Sequence, residues 1–383
     1  MKRGCRWWVR AVAGALLALI LPARAGAETD LRTMLGQMLL VGFRGAEITE
    51  DAPIVRDIQA FHIGGVILFD RDVLSGGARN ILSPAQVRTL TASLQAAASI
   101  PLFIGVDQEG GRVRRLREEH GFPALPSAWE MGQGTEAATR RWGERTGAML
   151  ADVGINLDFA PVVDVAVDPQ SPAIGALGRS FAADPQAVAR HALAFAQGLR
   201  SQGVLACLKH FPGHGSARTD SHLGITDVTT TWSPAELAPY ARILPTGVAS
   251  CVMTGHLFVR SKDAAAPATL SAAIVTGMLR QELGFDGVVI SDDLQMRAIT
   301  DHFGLEEAAV RAVAAGVDML LVGNNLQYDP EVVPRVVQAL EAAVAEGRLS
   351  RQRIEASWRR IMRLKAELPV GGRGPEARTR LED

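Results

Sequence analysis

The segment CLKHFPGHGSARTDSHLG, residues 207–224, holds the densest set of groups able to move protons. Lys209 and His210 close an apolar run, Pro212, Gly213 and Gly215 rule out a helix, and Asp220 and His222 follow on the resulting loop. A carboxylate two residues from an imidazole can hold it, fix its tautomer and raise its pKa. Such a pair can give a proton to a leaving group and take one back from water. An ordinary polar loop, with Asp220 closing an Asx-type turn, is the plainer alternative. His210, His214, Asp220 and His222 are also zinc-ligand types, but Pro212 and Gly213 keep the first two histidines from sharing a helix face. No metal is expected.

Asp292 is the second candidate. It follows the apolar run GVVIS and precedes Asp293. Adjacent side chains on a strand point to opposite sides, so one of the two carboxylates faces the strand end, where it could serve as a nucleophile. Asp293 is expected to cap the following helix. Other polar groups also fall where apolar runs stop: Asp107 in IGVDQEGGRVRRL, Asp158 and Asp164 in DFAPVVDV, His256, and Asn324-Asn325. Glu109 and Arg112, flanking Gly110-Gly111, read as a structural ion pair or turn. Asp158 reads as a buried, hydrogen-bonded group, and Asp164 is open between lining a site and bracing it. His62, His120, His191 and His302 read as surface or packing residues.

The elements that must position these groups are eight apolar runs, at residues 38–43, 64–69, 102–106, 155–159, 204–208, 251–254, 287–290 and 318–322. Most are continuous rather than alternating, as parallel strands covered on both faces should be. Helical patterns lie between them. One at 184–202 starts at Asp184-Pro185, and those at 306–315 and 331–346 stop at Gly316 and Gly347. A last amphipathic stretch, 351–368, carries Ile354, Trp358, Ile361 and Leu364 on one stripe. This alternation predicts an α/β fold, a single (β/α)8 TIM-type barrel with no second domain, in preference to an open doubly wound sheet. In such a barrel the C-terminal strand ends converge on one face, so the polar groups there would meet, His256 among them. That convergence argues for an enzyme.

Composition narrows the partners. The 383 residues are 48% hydrophobic with a net charge of −1, and no basic block beyond the N-terminus suggests nucleic acid. Residues 1–27 read as an export signal: Lys2, Arg3, Arg6 and Arg10 precede the apolar run 11–21, and small residues at 23–27 suit cleavage. That apolar run is short for a membrane span, which needs roughly 20 residues. Loss of the leader removes those four charges and Arg24, taking the net charge from −1 to −6. The predicted organisation is a leader at 1–27, a barrel at 28–368 and a disordered Gly- and charge-rich tail at 369–383, in a periplasmic or secreted protein. Cys5 departs with the leader, and Cys207 and Cys251 are expected as buried free thiols.

Five segments, in order, resemble glycoside hydrolase family 3, and within it the β-N-acetylglucosaminidase branch. They are GVDQEGGRVRRL (105–116), NLDFAPVVDV (156–165), GRSF (178–181), KHFPGHG (209–215) followed by DSH (220–222), and GVVISDDLQM (287–296). KHFPGHG with DSH is the most specific, and the likeness runs from about residue 35 to 326. It implies a retaining exo-hydrolase that releases terminal β-linked N-acetylglucosamine from peptidoglycan fragments or chitooligosaccharides. Asp292 would form the covalent glycosyl-enzyme, with His222 as acid/base and Asp220 as its partner. Asp107, Arg115, Arg179, Lys209 and His210 would bind the sugar, and His256 is expected at the same mouth. The partner implied is a small carbohydrate, with no cofactor and a monomer as the default. Two features depart from the family: many close relatives are cytoplasmic, and many members use a second domain. A phosphorylase on the same fold stays open, since a histidine acid/base does not repel a phosphate dianion. A sugar-binding protein without catalysis would be expected to have lost Asp292, Asp220 or His222, and all three are present.

Overall fold

Each of the eight apolar runs supplies a strand of one parallel sheet in the computed structural model, which describes Met1 and residues 29–219, 224 and 226–369. The predicted leader beyond Met1, the pair Asp220 and His222, and the tail from residue 370 lie outside the described residues. The strands are β1 Leu39–Gly42, β2 Gly65–Ile67, β3 Phe103–Val106, β4 Leu157–Asp158, β5 Leu205–Phe211, β6 Cys251–Thr254, β7 Val288–Ser291 and β8 Leu320–Val322. Successive strands pair in chain order, and β8 returns to β1 with Leu39 opposite Leu320 and Val41 opposite Val322. A bridge between Ile290 and Met319 joins β7 to β8 and closes the ring. The strand residues are buried, as continuous apolar runs require when side chains pack both inside the ring and against the helices outside.

Helices Pro53–Phe61, Pro84–Ala97, Glu136–Asp152, Pro185–Ser201, Leu305–Ala315 and Val332–Ala345 form most of the outer ring, with a π-helical segment Ala273–Glu282 between β6 and β7. Their starts are chemical: the side chains of Ser83, Thr135 and Asp184 each accept a first-turn N–H. The final helix, Arg351–Lys365, ends three residues before the predicted stretch does; Ile354, Ile361 and Leu364 are buried and Trp358 is half-buried. Among the described residues no helix is long and apolar enough to cross a membrane. Cys207 of β5 sits opposite Cys251 of β6, both free and fully buried.

Strand β5 runs three residues past the apolar run that marks it. After a register shift Phe211 pairs with Thr254, and Lys209 bridges Val162. Lys209 and His210 therefore stand inside a hydrogen-bonded strand rather than in a loop, and their side chains are fixed from both sides.

One charge lies where no pattern announced it. Lys365 is buried, its Nζ 2.6 Å from Gln37 Oε1 and 5.1 Å from the centre of the Phe103 ring. Burial pushes this ammonium down to about 7. The unfolded lysine titrates near ~10.4, so between these pH values the native state binds fewer protons and stability rises with pH. Wild-type melting temperature should therefore climb by several degrees relative to Lys365→Met between pH 7 and pH 10. A constant difference across that range would show that Lys365 stays charged in the fold.

Candidate active site

The ends of β3, β5 and β7, with the loop after β4, bring most of the sequence-derived candidates to the C-terminal face. Asp107 directly follows β3, and the next residue builds its surroundings. The Gln108 side chain accepts the N–H groups of Arg115 (3.0 Å) and Leu116 (2.9 Å) and donates to the Leu116 carbonyl (3.1 Å). The chain is thereby folded back so that Arg115 Nη2 lies 3.3 Å from Asp107 Oδ2. Lys209 Nζ, inside β5, lies 2.7 Å from both Asp107 Oδ1 and Glu109 Oε1. Glu109 in turn takes a two-pronged contact from Arg179, at 2.7 and 2.8 Å. Arg179 also donates to the Ala173 carbonyl at 2.8 Å, which fixes the fork.

Burial ranks these groups by what they can touch. The side chains of Arg115 and Asp107 are 26% and 18% exposed, against 3% for both Lys209 and Glu109. The first two are the most open to a solute, while the latter two offer it an edge at most and hold the array in place. Burial would raise the Asp107 carboxyl, but Lys209 and Arg115 outweigh it and keep it well below the usual carboxylate range. Glu109 is likewise held down by Arg179 and Lys209 against its burial. Burial would lower the Lys209 ammonium, yet Asp107 and Glu109 raise it, so the array stays ionised around neutrality.

His210 is oriented from behind by Asp164. Asp164 Oδ2 is 2.7 Å from His210 Nδ1, and Oδ1 accepts the backbone N–H groups of His210 (3.1 Å) and His214 (2.8 Å). Nε2 is left facing Arg179 Nη2 at 3.4 Å. Asp164 is fully buried, so it braces the site rather than lining it. His214 is pushed down to about 4 by burial and by nearby His210, so it stays neutral. Asp158 accepts the Gln108 N–H at 3.0 Å and is raised well above its ordinary value by burial. It is fully buried, and its charged form is disfavoured there.

Asp292 stands one residue beyond β7 and is half-buried. Its N–H donates to the Thr254 carbonyl at 3.1 Å, and its Oδ1 accepts the Asp293 N–H at 2.8 Å. Since Thr254 pairs with both Phe211 and Ser291, the registers set Asp292 level with the end of β5 and two strands from it. Asp293 does not cap a helix: its Oδ1 accepts the N–H groups of Gln295 (3.0 Å) and Gly323 (2.9 Å), tying this turn to β8. The cap of the next helix is Met296.

Two further expectations change on these contacts, and one residue joins the site. His256 does not offer its ring to the mouth: it is fully buried, with Nδ1 2.8 Å from Thr269 Oγ1 and Nε2 2.9 Å from the Asp293 carbonyl. It supports the turn behind Asp292. Glu109 pairs with Arg179 and Lys209 rather than with Arg112, which is exposed. Asp70, at the end of the second apolar run, went unremarked; it is buried, 2.7 Å from Arg117 and 4.0 Å from Arg115. The signal was there, because it too is a carboxylate closing an apolar run.

Asp220 and His222 lie outside the described residues, but the stem leading to them is well fixed. Gly215 N–H donates to Glu236 Oε2 at 3.0 Å, and Ser216 Oγ donates to Glu236 Oε1 at 2.7 Å. Trp232 Nε1 donates to the Pro212 carbonyl at 3.1 Å. Gly215 approaches so closely that a Cβ there would lie 1.6 Å from the Val165 carbonyl oxygen. Glu236 is buried, which pushes its carboxyl up to about 7. Glu236→Ala strands a buried N–H and hydroxyl, so stability should fall by about 1–3 kcal/mol in a denaturant titration. Glu236→Gln, which keeps an acceptor oxygen, should lose less than half of that. Equal losses would show that shape rather than hydrogen bonding holds the stem.

The sequence profile described as "Glycosyl hydrolase family 3 N terminal domain" matches residues 30–364. The β-hexosaminidase LpqI of Mycobacterium tuberculosis is 38% identical over 364 residues, covering 92% of this chain and 87% of that protein. Among solved structures, a family 3 β-N-acetylglucosaminidase from Paenibacillus sp. str. FPU-7 superposes with a TM-score of 0.81 at 36% identity, covering 89% of this chain but 63% of that one. A β-N-acetylhexosaminidase from Beutenbergia cavernae superposes at 0.80 with 31% identity, covering 89% of this chain and 99% of that one.

Proposed function

Since the chain belongs to glycosyl hydrolase family 3, as an enzyme of the β-hexosaminidase kind, we propose that it is a retaining exo-β-N-acetylglucosaminidase working through a covalent intermediate on Asp292. In the first step the Asp292 carboxylate attacks the anomeric carbon while the bond to the leaving oxygen breaks and that oxygen takes a proton from His222. In the second, His222 accepts a proton from water, whose oxygen attacks the same carbon and releases Asp292. Asp220 keeps His222 protonated often enough for the first step.

The single observation that carries this reading is the ionised array Asp107–Lys209–Glu109–Arg179 at the barrel end that also carries Asp292. Asp107, Arg115 and the edges of Arg179, His210 and Lys209 would take the sugar hydroxyls and the N-acetyl group. Charge-assisted hydrogen bonds are strong in a water-poor pocket. His256 is assigned to supporting the Asp292–Asp293 turn. The predicted leader would place the reaction outside the cytoplasm, on periplasmic or secreted glycan fragments.

The test compares 4-nitrophenyl β-N-acetylglucosaminide with the β-glucoside in phosphate-free buffer and follows the first-formed anomer by NMR. A strong preference for the N-acetyl sugar with a β-anomer first supports the reading. An α-anomer first would remove Asp292 as nucleophile, and activity only with added phosphate would make the protein a phosphorylase.

A further inference from the structure

Among the described residues, and apart from Met1, the strongly exposed large apolar side chains all stand at one end of the barrel. They are Val73, Leu74, Leu82, Trp129 and Val167. The first three lie between β2 and helix Pro84–Ala97, Trp129 between β3 and helix Glu136–Asp152, and Val167 between β4 and helix Pro185–Ser201. All these segments leave the C-terminal ends of strands, on the face that carries Asp107 and Asp292. Single exposed apolar residues are ordinary on a protein surface. Their confinement to the rim of the site is not.

Trp129 is the largest of them, 44% exposed, and it is rigidly mounted. Ser127 and Glu130 form a reciprocal capping box around it. Its backbone N–H donates to the Gly178 carbonyl at 3.1 Å, directly before Arg179. A Cβ on Gly178 would lie 3.6 Å from that of Trp129. On the other side Gly110 and Gly111, which follow Glu109, pack against Pro126 and Ser127. The short stretch 126–129 is thus wedged between the loops that carry Glu109 and Arg179. Val167 borders the same mouth, since the N–H of Asp168 donates to the Gly215 carbonyl at 3.2 Å.

We propose that Trp129 is a specificity-determining residue of an aglycone subsite, where its indole stacks on a sugar ring beyond the scissile bond and selects β-1,4-linked N-acetylglucosamine chains over short glycosides. This rests on the functional reading above, which places the terminal sugar at Asp107, Lys209 and Arg179. The chemistry fits the occupant. A β-linked pyranose presents a face of C–H groups ringed by hydroxyls, and indole offers a large flat apolar surface with a single N–H. A tryptophan also brings this area with only two side-chain torsions to order. Polar groups cluster around Asp107 and Arg179 and apolar ones on the rim, so the terminal sugar is gripped by hydrogen bonds and the rest of the chain by stacking.

The experiment measures kcat/KM for chitotriose and for 4-nitrophenyl β-N-acetylglucosaminide in the wild type, Trp129→Ala and Trp129→Phe. In Trp129→Ala the trimer-to-aryl ratio should fall about tenfold, chiefly through KM, and Trp129→Phe should regain at least half of the loss on a logarithmic scale. An unchanged ratio overturns the proposal, as does an equal loss on both substrates, which a structural role would give. A loss confined to a peptide-bearing disaccharide fragment, absent with chitotriose, also overturns it, because the rim would then serve a peptide. Chitotriose binding to Asp292→Asn, with and without Trp129→Ala, reads the same contact without turnover. Failure of hydrolysis alone then counts against the proposed reaction, and failure of the binding difference counts against the subsite.

Discussion

Asp292→Ala should lower kcat on an aryl β-N-acetylglucosaminide by roughly four to six orders of magnitude, as removal of a covalent nucleophile does elsewhere. The fold should survive, because what ties this position to β6 is a backbone bond from the Asp292 N–H to Thr254. Melting temperature should therefore move little while turnover collapses. Azide supplies the sharper measurement. A small anion can enter the space vacated by the carboxylate and attack the anomeric carbon from that side, giving an α-glycosyl azide by NMR or mass spectrometry. A loss below tenfold, with no azide product, would transfer the role to another carboxylate. Asp293→Ala is the informative contrast: its side chain holds the N–H groups of Gln295 and Gly323, so its removal should lower stability as well as rate.

The second large effect concerns Lys209. Its ammonium sits 2.7 Å from each of two carboxylates and is nearly inaccessible. Lys209→Met leaves Asp107 and Glu109 buried with less compensation, and breaking such a buried arrangement costs about 3–5 kcal/mol. It should also lower kcat/KM by roughly two to three orders of magnitude, in line with the loss of a charge-assisted contact and of the geometry it enforces. The sign of the pH effect follows from the same charges. Burial raises Asp107, and Lys209 is the foremost group opposing it, so the acid limb of kcat/KM should move to higher pH in the variant. Adding Glu109→Gln removes one stranded charge. The double variant should recover about half of the lost stability in urea and none of the lost activity. Recovery of both would mean that Lys209 serves stability alone.

Much of this is legible in the sequence, for a physical reason. Parallel strands covered on both faces must be apolar throughout, so each appears in the sequence as an uninterrupted run, and all eight runs are strands. Groups at strand ends were legible in the same way: Asp107, Lys209, His210 and Asp292 stand beside runs that place them. What escaped were the partnerships. Glu109 meets Arg179 across 70 positions, and the short Glu109–Arg112 spacing suggested a nearer pairing that the turn does not make. Whether Asp164 lines or braces depends on which way one carboxylate turns after β4, and no spacing reports that. His256 follows an apolar run just as the substrate-facing candidates do, yet Thr269 and the Asp293 carbonyl take its ring. Glu236 lies beyond the recognisable motif, and only the folded stem reveals it as the acceptor for Gly215 and Ser216.

The two thiols facing each other across β5 and β6 make this barrel its own opening gauge. Neither Cys207 nor Cys251 has accessible surface, and burial lifts the Cys251 thiol well above its ordinary range, which leaves little reactive thiolate. An alkylating reagent can reach them only in molecules whose barrel has come apart between those strands. The labelling rate, read by mass at rising reagent concentration, therefore passes from tracking the open population to tracking the opening rate itself. Each variant above can be ranked on that scale without a denaturant, and a loss of activity can be separated from a loss of architecture in the same tube.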